Sequence, residues 1–434
     1  MRTLVFVCRP ILWVVLFSNH ALMKLLLLLS LLFTAFGAIA QADPLTLPEV
    51  ESATLSQHPS LAAAGARWQA MQERIPQARA WDDPELGIQA EQGRGGRFNN
   101  TEWMLSQTVP LSGSAGAEGR VASAEAAVAY GEWLQIRNEL LMKARVAYVD
   151  YLGARERLAL NLEQAHLLGD VLEVVQAKLD TGEMNPADQF QAETEVALLE
   201  DERAELARQE LTARVQLNTL MGRPLDAGLG SAGAMTYEPL AVSVEPLIEA
   251  ALRHHPDVVI AEQQIEVESQ KADLANRQRR PDPRLFVEAR QFDNGGGDFQ
   301  EVDFGLSLPL TWLNPRKYNA ANREAGAMTA SVQADLESIR RDLTERVRLK
   351  YEEAAAAGKR YLILRNEVVP QAEKALDARA ADFSSRKASF LEYNSARVLL
   401  QRARTSRFDR LTAYETARRE LQTLVEAPPA PSLK

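Results

Sequence analysis

The chain has 434 residues, with 59 acidic against 49 basic side chains and a formal charge of −10, which disfavours nucleic acid or anionic lipid as a general partner. Aromatic residues make up only 6%, while Ala, Leu, Glu, Gln and Arg abound, so long helices are a better expectation than the two or three compact domains that length alone would allow. The one cysteine, Cys8, excludes an internal disulfide, and its Val-Phe-Val context excludes a lipidation site.

In chain order, residues 1–42 read as a secretory signal peptide. Met23-Lys24 precedes an apolar run from Leu25 that ends in Ala38-Ile39-Ala40, which predicts a start at Met23 and cleavage after Ala40 or Ala42. An uncleaved membrane anchor is the alternative. Beyond this stretch there is no run of eighteen apolar residues, so no helix can span a bilayer, and an exported chain that crosses one must do so as a closed β-barrel.

Residues 43–222 form a first predicted repeat. Helical patterns cover Leu45 to Gln57 and Pro59 to Trp81, split where Pro59 can start a new helix. In Pro84 to Gly93, Leu86, Ile88 and Ala90 alternate with polar residues, the period of a strand with one apolar face. After the Gly93–Asn100 turn, Trp103, Leu105 and Val109 alternate with Glu102, Ser106 and Thr108, with Met104 as the exception, up to Pro110. A helix then runs from Ala115 to Asp180, roughly 100 Å at ~1.5 Å per residue. Nothing globular needs a helix that long.

The helix reverses at Thr181-Gly182-Glu183-Met184-Asn185-Pro186-Ala187-Asp188. Gly182 suits the left-handed stop, Asn185 the next cap, and Pro186 the first turn of a return helix to Met221. Residues 223–240 are a linker, and residues 241–426 repeat the programme before a short tail, 427–434. His255-Pro256 echoes His58-Pro59, Asp282-Pro283 echoes Asp83-Pro84, and Leu308-Pro309-Leu310 echoes Val109-Pro110-Leu111. The second strand pair places Leu285, Val287 and Ala289, then Val302, Phe304, Leu306 and Leu308, on one face. Ser389-Phe390-Leu391-Glu392 is a capping box 204 positions after the Asn185 cap.

The fold expected is mainly helical with a small β part: duplicated long helical hairpins plus two two-stranded segments. Four strands cannot close a barrel, since about eight are needed. Three chains would supply twelve, with the helices continuing as a second tube. The five histidines show no ligand spacing, and the glycine-rich stretches lie between strands rather than between a strand and a helix, so neither a metal or cofactor site nor an enzyme is expected.

These features together resemble the outer-membrane efflux proteins, the TolC-like family, over about residues 45 to 426. The carrying features are the helix with its internal His-Pro, the strand pair ending in Val/Leu-Pro-Leu, and the hairpin with a Leu-x-x-Gly or Phe-x-x tip and an acidic residue beyond it, all doubled. The resemblance implies a homotrimeric duct, twelve-stranded in outer-membrane lipid and helical in the periplasm, meeting an adaptor and an inner-membrane transporter of the RND type. It implies an entrance at the hairpin tips: Gly182, Glu183, Met184, Asn185 and Pro186 in the first repeat, and Phe383, Arg386, Lys387 and Ser389 in the second. Asp188 and Glu392 match acidic positions that can ring that entrance, although helix capping alone also accounts for both. The second tip departs from the pattern, with Arg386 in place of glycine and Phe383 in place of tyrosine, which leaves Arg386 or Lys387 as candidates for a lock. Trp103, Leu105, Leu285, Val287, Val302, Phe304 and Leu306 are the candidate lipid-facing residues. The length and the tail are similar to the cobalt-zinc-cadmium branch. A duct for type I protein secretion and a soluble periplasmic coiled-coil adaptor or spacer are the alternatives.

Overall fold

The structure, a computed structural model, describes residues 45–92, 98–182, 185–230, 233–293, 298–385 and 387–427. The predicted signal peptide, Glu183, Met184, Arg386 and most of the tail lie outside the described residues. The chain divides into two units, Met1–Thr46 with Gly228–Gly233, and Leu47–Ala227 with Ala234–Lys434. The first is described at only a few positions. The second carries all the helices and strands among the described residues.

Its elements run α1 (Leu47–Gln57), α2 (Pro59–Arg79), β1 (Glu85–Gln92), β2 (Phe98–Thr108), α3 (Ser114–Asp180) and α4 (Pro186–Leu220). Then come α5 (Val244–His254), α6 (Pro256–Arg277), β3 (Arg284–Asp293), β4 (Asp298–Ser307), α7 (Pro315–Ile363), α8 (Val369–Ser384) and α9 (Phe390–Val425). The order helix, helix, strand, strand, long helix, return helix therefore occurs twice. In the second pass the outgoing helix widens into a π-turn at Leu364–Val368. Pro370 follows at once, and a proline has no N–H to donate and crowds the carbonyl four residues back, so a wider turn relieves both conflicts.

The 67-residue α3 is the spine. It packs on α2 towards the strands and on α4 towards the tip, with α6 and α9 also alongside. Gly222, at φ 66°, brings the end of α4 against Gln57, so the return helix and the entry helices stack end to end along α3. Much of the buried surface of α3 is small, including Ala117, Gly119, Ala122, Ala124, Ala126, Ala129 and Gly131. Close approach requires it: a Cβ on Gly131 would lie 2.7 Å from Ile260 Cγ1.

Two devices tie distant segments together. Arg145, 2% exposed, donates to Glu51 Oε1 (2.6 Å), Thr423 Oγ1 (2.9 Å) and Glu426 Oε2 (2.6 Å), joining α1, α3 and the end of α9. The connection after α4 is fixed by Asn218, whose Nδ2 donates to the carbonyls of Leu225 (3.0 Å) and Ala227 (2.9 Å). Farther along, the Tyr237 ring packs at a tilt against those of Tyr361 and Tyr414, and the Tyr414 hydroxyl donates to the Glu238 carbonyl.

The strand pairs, expected as separate segments, are joined. β2 pairs with β3, so all four strands make one antiparallel sheet in the order β1-β2-β3-β4. Below that seam Val109 N donates to Pro283 O at 2.9 Å. Asp282 then accepts from Ser112 N (2.6 Å), Ser112 Oγ (2.8 Å) and Ser114 Oγ (3.3 Å), which fixes the start of α3 beneath the sheet.

Candidate functional site: the apolar sheet face and the hairpin tips

Register settles which side chains share a face of the sheet. Leu86 pairs with Leu105, Leu105 with Val287 and Val287 with Phe304, an apolar row across all four strands. A second row runs Ile88, Trp103, Ala289, Val302, and Leu285 pairs with Leu306. All seven predicted lipid-facing residues lie on this face and stay open, from 38% exposed at Val287 to 81% at Phe304. A contiguous apolar surface of this kind is not left to water. The opposite face is polar: Gln89, Glu102, Arg290 and Glu301 form one row, and Arg290 pairs with Glu288 and lies 3.7 Å from Glu102. On this face Phe286 covers Gly305, where any Cβ would collide with the ring. One apolar face and one polar face on four strands of 8 to 11 residues match in length and pattern what a segment of a membrane barrel wall requires.

At the other end of α3, the tips are built from caps. Gly182 adopts φ 72° and donates to Leu179 O at 2.9 Å. Asn185 Oδ1 accepts from Ala187 N at 3.0 Å, and Pro186 opens α4. In the second tip the capping box is complete: Ser389 N donates to Glu392 Oε2 (2.9 Å) and Glu392 N to Ser389 Oγ (3.3 Å). The Ser389 hydrogen bonds, with Arg379 3.6 Å away, hold the Glu392 carboxyl below the usual range. The two acidic candidates thus differ. Glu392 serves its cap, whereas Asp188 is half-exposed with no side-chain partner among the described residues, because Asn185 does the capping there.

The second tip is seated on the first hairpin. Phe383 and Phe390 are buried among Leu168, Val175, Ala192 and Leu199 of α3 and α4. Lys178 Nζ lies 4.5 Å from the centre of the Phe383 ring and donates to the Phe383 carbonyl at 3.2 Å. Arg397, 4% exposed, donates to Glu195 Oε2 at 2.9 Å. Lys387 is exposed, and Arg386 falls outside the described residues. Sequence reasoning missed Lys178, Glu195 and Arg397, whose only sequence signal was a charge inside an otherwise buried helix face.

A four-stranded sheet with one apolar face, carried on a doubled pair of long helical hairpins, is the arrangement to compare with known proteins. Residues 50–223 match the sequence profile of the family described as outer membrane efflux protein. It is similar to the cobalt-zinc-cadmium resistance protein CzcC of Cupriavidus metallidurans, 22% identical over 363 residues, covering 84% of this chain and 85% of that protein. Among solved structures, CusC superposes with a TM-score of 0.74 at 14% identity, covering 89% of this chain and 94% of that one. VceC of Vibrio cholerae gives 0.72 at 18% identity, covering 88% and 96%.

Proposed function

We propose that three copies of this chain close a twelve-stranded barrel and form the exit duct of a tripartite efflux system, receiving small solutes from an adaptor and an inner-membrane transporter of the RND type. The observation that carries this reading is the apolar row Leu86, Leu105, Val287, Phe304, which needs lipid on its outer side, on a sheet whose edge strands β1 and β4 need partners. Likeness to a cobalt-zinc-cadmium resistance protein supports divalent metal cations as cargo. The reading is tested with protein extracted from outer membranes. A trimer by light scattering that conducts ions across a planar bilayer is expected, and a monodisperse, non-conducting monomer would overturn it. Expression with a matching pump and adaptor in a metal-sensitive host lacking its own duct should restore growth on zinc or cadmium, and failure there with an intact conducting trimer would overturn the cargo alone.

A further inference from the structure

Four cations without a carboxylate partner cluster at the junction of strands and helices. Arg279 and Arg280 follow α6, Arg316 and Lys317 open α7, and all four are exposed with no ion pair among the described residues. Lys317 Nζ lies only against the ring of its neighbour Tyr318, 5.4 Å from the centre. The two segments are pinned together, since Thr311 Oγ1 donates to the Arg279 carbonyl at 2.7 Å. The acid closest in sequence, Asp282, is taken up by Ser112 and Ser114. Asp82 and Asp83, on the approach to β1, are exposed and pair with none of these cations. Arg316 and Lys317 also occupy the first turn of a 49-residue helix that has no acidic residue there. Cations at that end oppose the helix dipole, and the free N–H groups of the same turn favour an anion.

Beside the cations lies an apolar belt. The outward row of β4, Val302, Phe304 and Leu306, ends with the strand at Ser307, and in the connection and 3-10 turn (Thr311–Leu313) that follow, Leu308, Leu310 and Trp312 are also exposed, Trp312 at 57%. From Val302 to Ser307, ~3.3 Å per extended residue at a tilt of ~40° covers roughly 13 Å of depth, about half the height of a barrel's apolar band. Trp81, Leu111 and Leu313 are exposed at the same junction. An aromatic at the end of the apolar band with cations just beyond it is the pattern of a headgroup boundary.

We infer that Arg279, Arg280, Arg316 and Lys317, with Trp312 at their edge, form a collar that binds the phosphate headgroups of anionic phospholipid in the periplasm-facing leaflet. The inference rests on the barrel reading. The net negative charge of the chain is no obstacle, because screening confines the interaction to the few ångströms around the collar. Phosphate diester is the chemistry, and the side of the sheet on which the helices lie selects the phospholipid leaflet as its source.

The test uses the full trimer in neutral-detergent micelles doped with phosphatidylglycerol or with phosphatidylcholine, and follows its heat dissociation on gels. Phosphatidylglycerol is expected to raise the dissociation midpoint by several degrees over phosphatidylcholine. The shift should shrink in high salt, be absent with inorganic phosphate alone, and vanish when all four residues are changed to Gln. Arg279→Gln/Arg280→Gln and Arg316→Gln/Lys317→Gln, made as separate pairs, should each lose part of it, which keeps the test available if the fourfold variant does not assemble. An equal shift in these variants, or no preference for phosphatidylglycerol, overturns the collar. Failure of the barrel reading itself would show earlier, as a wild-type protein that yields no trimer from outer membranes.

Discussion

At the level of single residues, His58 and His255 use the same unusual cap. His58 Nδ1 accepts from Ser60 N (3.3 Å) and His255 Nδ1 from Asp257 N (3.2 Å), each just before a proline that opens a helix. An imidazole accepts at Nδ1 only when that nitrogen carries no proton. Burial depresses the His255 pKa; Asp257 opposes this and Arg346 adds to it. A depressed basic group contributes stability that is whole above its unfolded value near 6.5 and is lost as pH falls towards the folded value. Acidification below about pH 6 should therefore loosen the start of α6, and His255→Asn, which caps without titrating, should flatten that dependence. His255→Ala should cost about 1 kcal/mol at neutral pH. Hydrogen exchange of the amides after Pro256 across pH would check both, and identical pH profiles for wild type and His255→Asn would refute the cap. The His-Pro pairs were legible in the sequence as helix starts, but the imidazole's part was not, because it depends on a rotamer. Arg145 was illegible for another reason, since its partners Glu51 and Glu426 come from opposite ends of the chain. Removing both carboxylates strands a buried cation, so Glu51→Ala with Glu426→Ala should cost about 3–5 kcal/mol, more than Arg145→Met, which removes the charge and keeps much of the volume. Thermal melts of the three proteins would show the order.

At the level of elements, the sequence carried the strands well because a period of two leaves a mark in any half-buried strand, and the predicted faces agree with the register. It did not carry the β2–β3 pairing, which joins the two repeats through contacts that no local pattern encodes. The serine clasp on Asp282 escaped for the same reason: Asp282-Pro283 read only as a repeat marker. The π-turn before Pro370 was also hidden, because a proline in a helical pattern usually reads as an end and here the helix widens and continues. The face assignment makes a sharp prediction. Leu306→Arg puts a charge on the apolar face and should cost about 2–4 kcal/mol if it sits near the bilayer midplane, whereas Ser307→Arg, on the polar face, should be mild. Trimer yield from outer membranes would separate them, and equal losses would show that the faces are reversed or that neither meets lipid.

At the level of the whole molecule, the doubled order of motifs exposed the architecture, while the state of the entrance depends on how tips from several chains meet. Here the two acidic positions part company. Glu392 is bound into a capping box with Arg379 nearby, so much of its charge is answered within its own tip. Asp188 has no such partner among the described residues, and three copies around one axis would form a ring of open carboxylates that attracts cations and resists anions. Asp188→Asn should therefore lower cation selectivity in planar-bilayer recordings more than Glu392→Gln does. Neither change should alter the trimer's melting much, because Asn185 caps α4 without help from Asp188 and glutamine keeps an acceptor for the Ser389 cap. If selectivity is unmoved by Asp188→Asn while Glu392→Gln lowers stability, the ring does not exist and the two acids are helix-start residues alone.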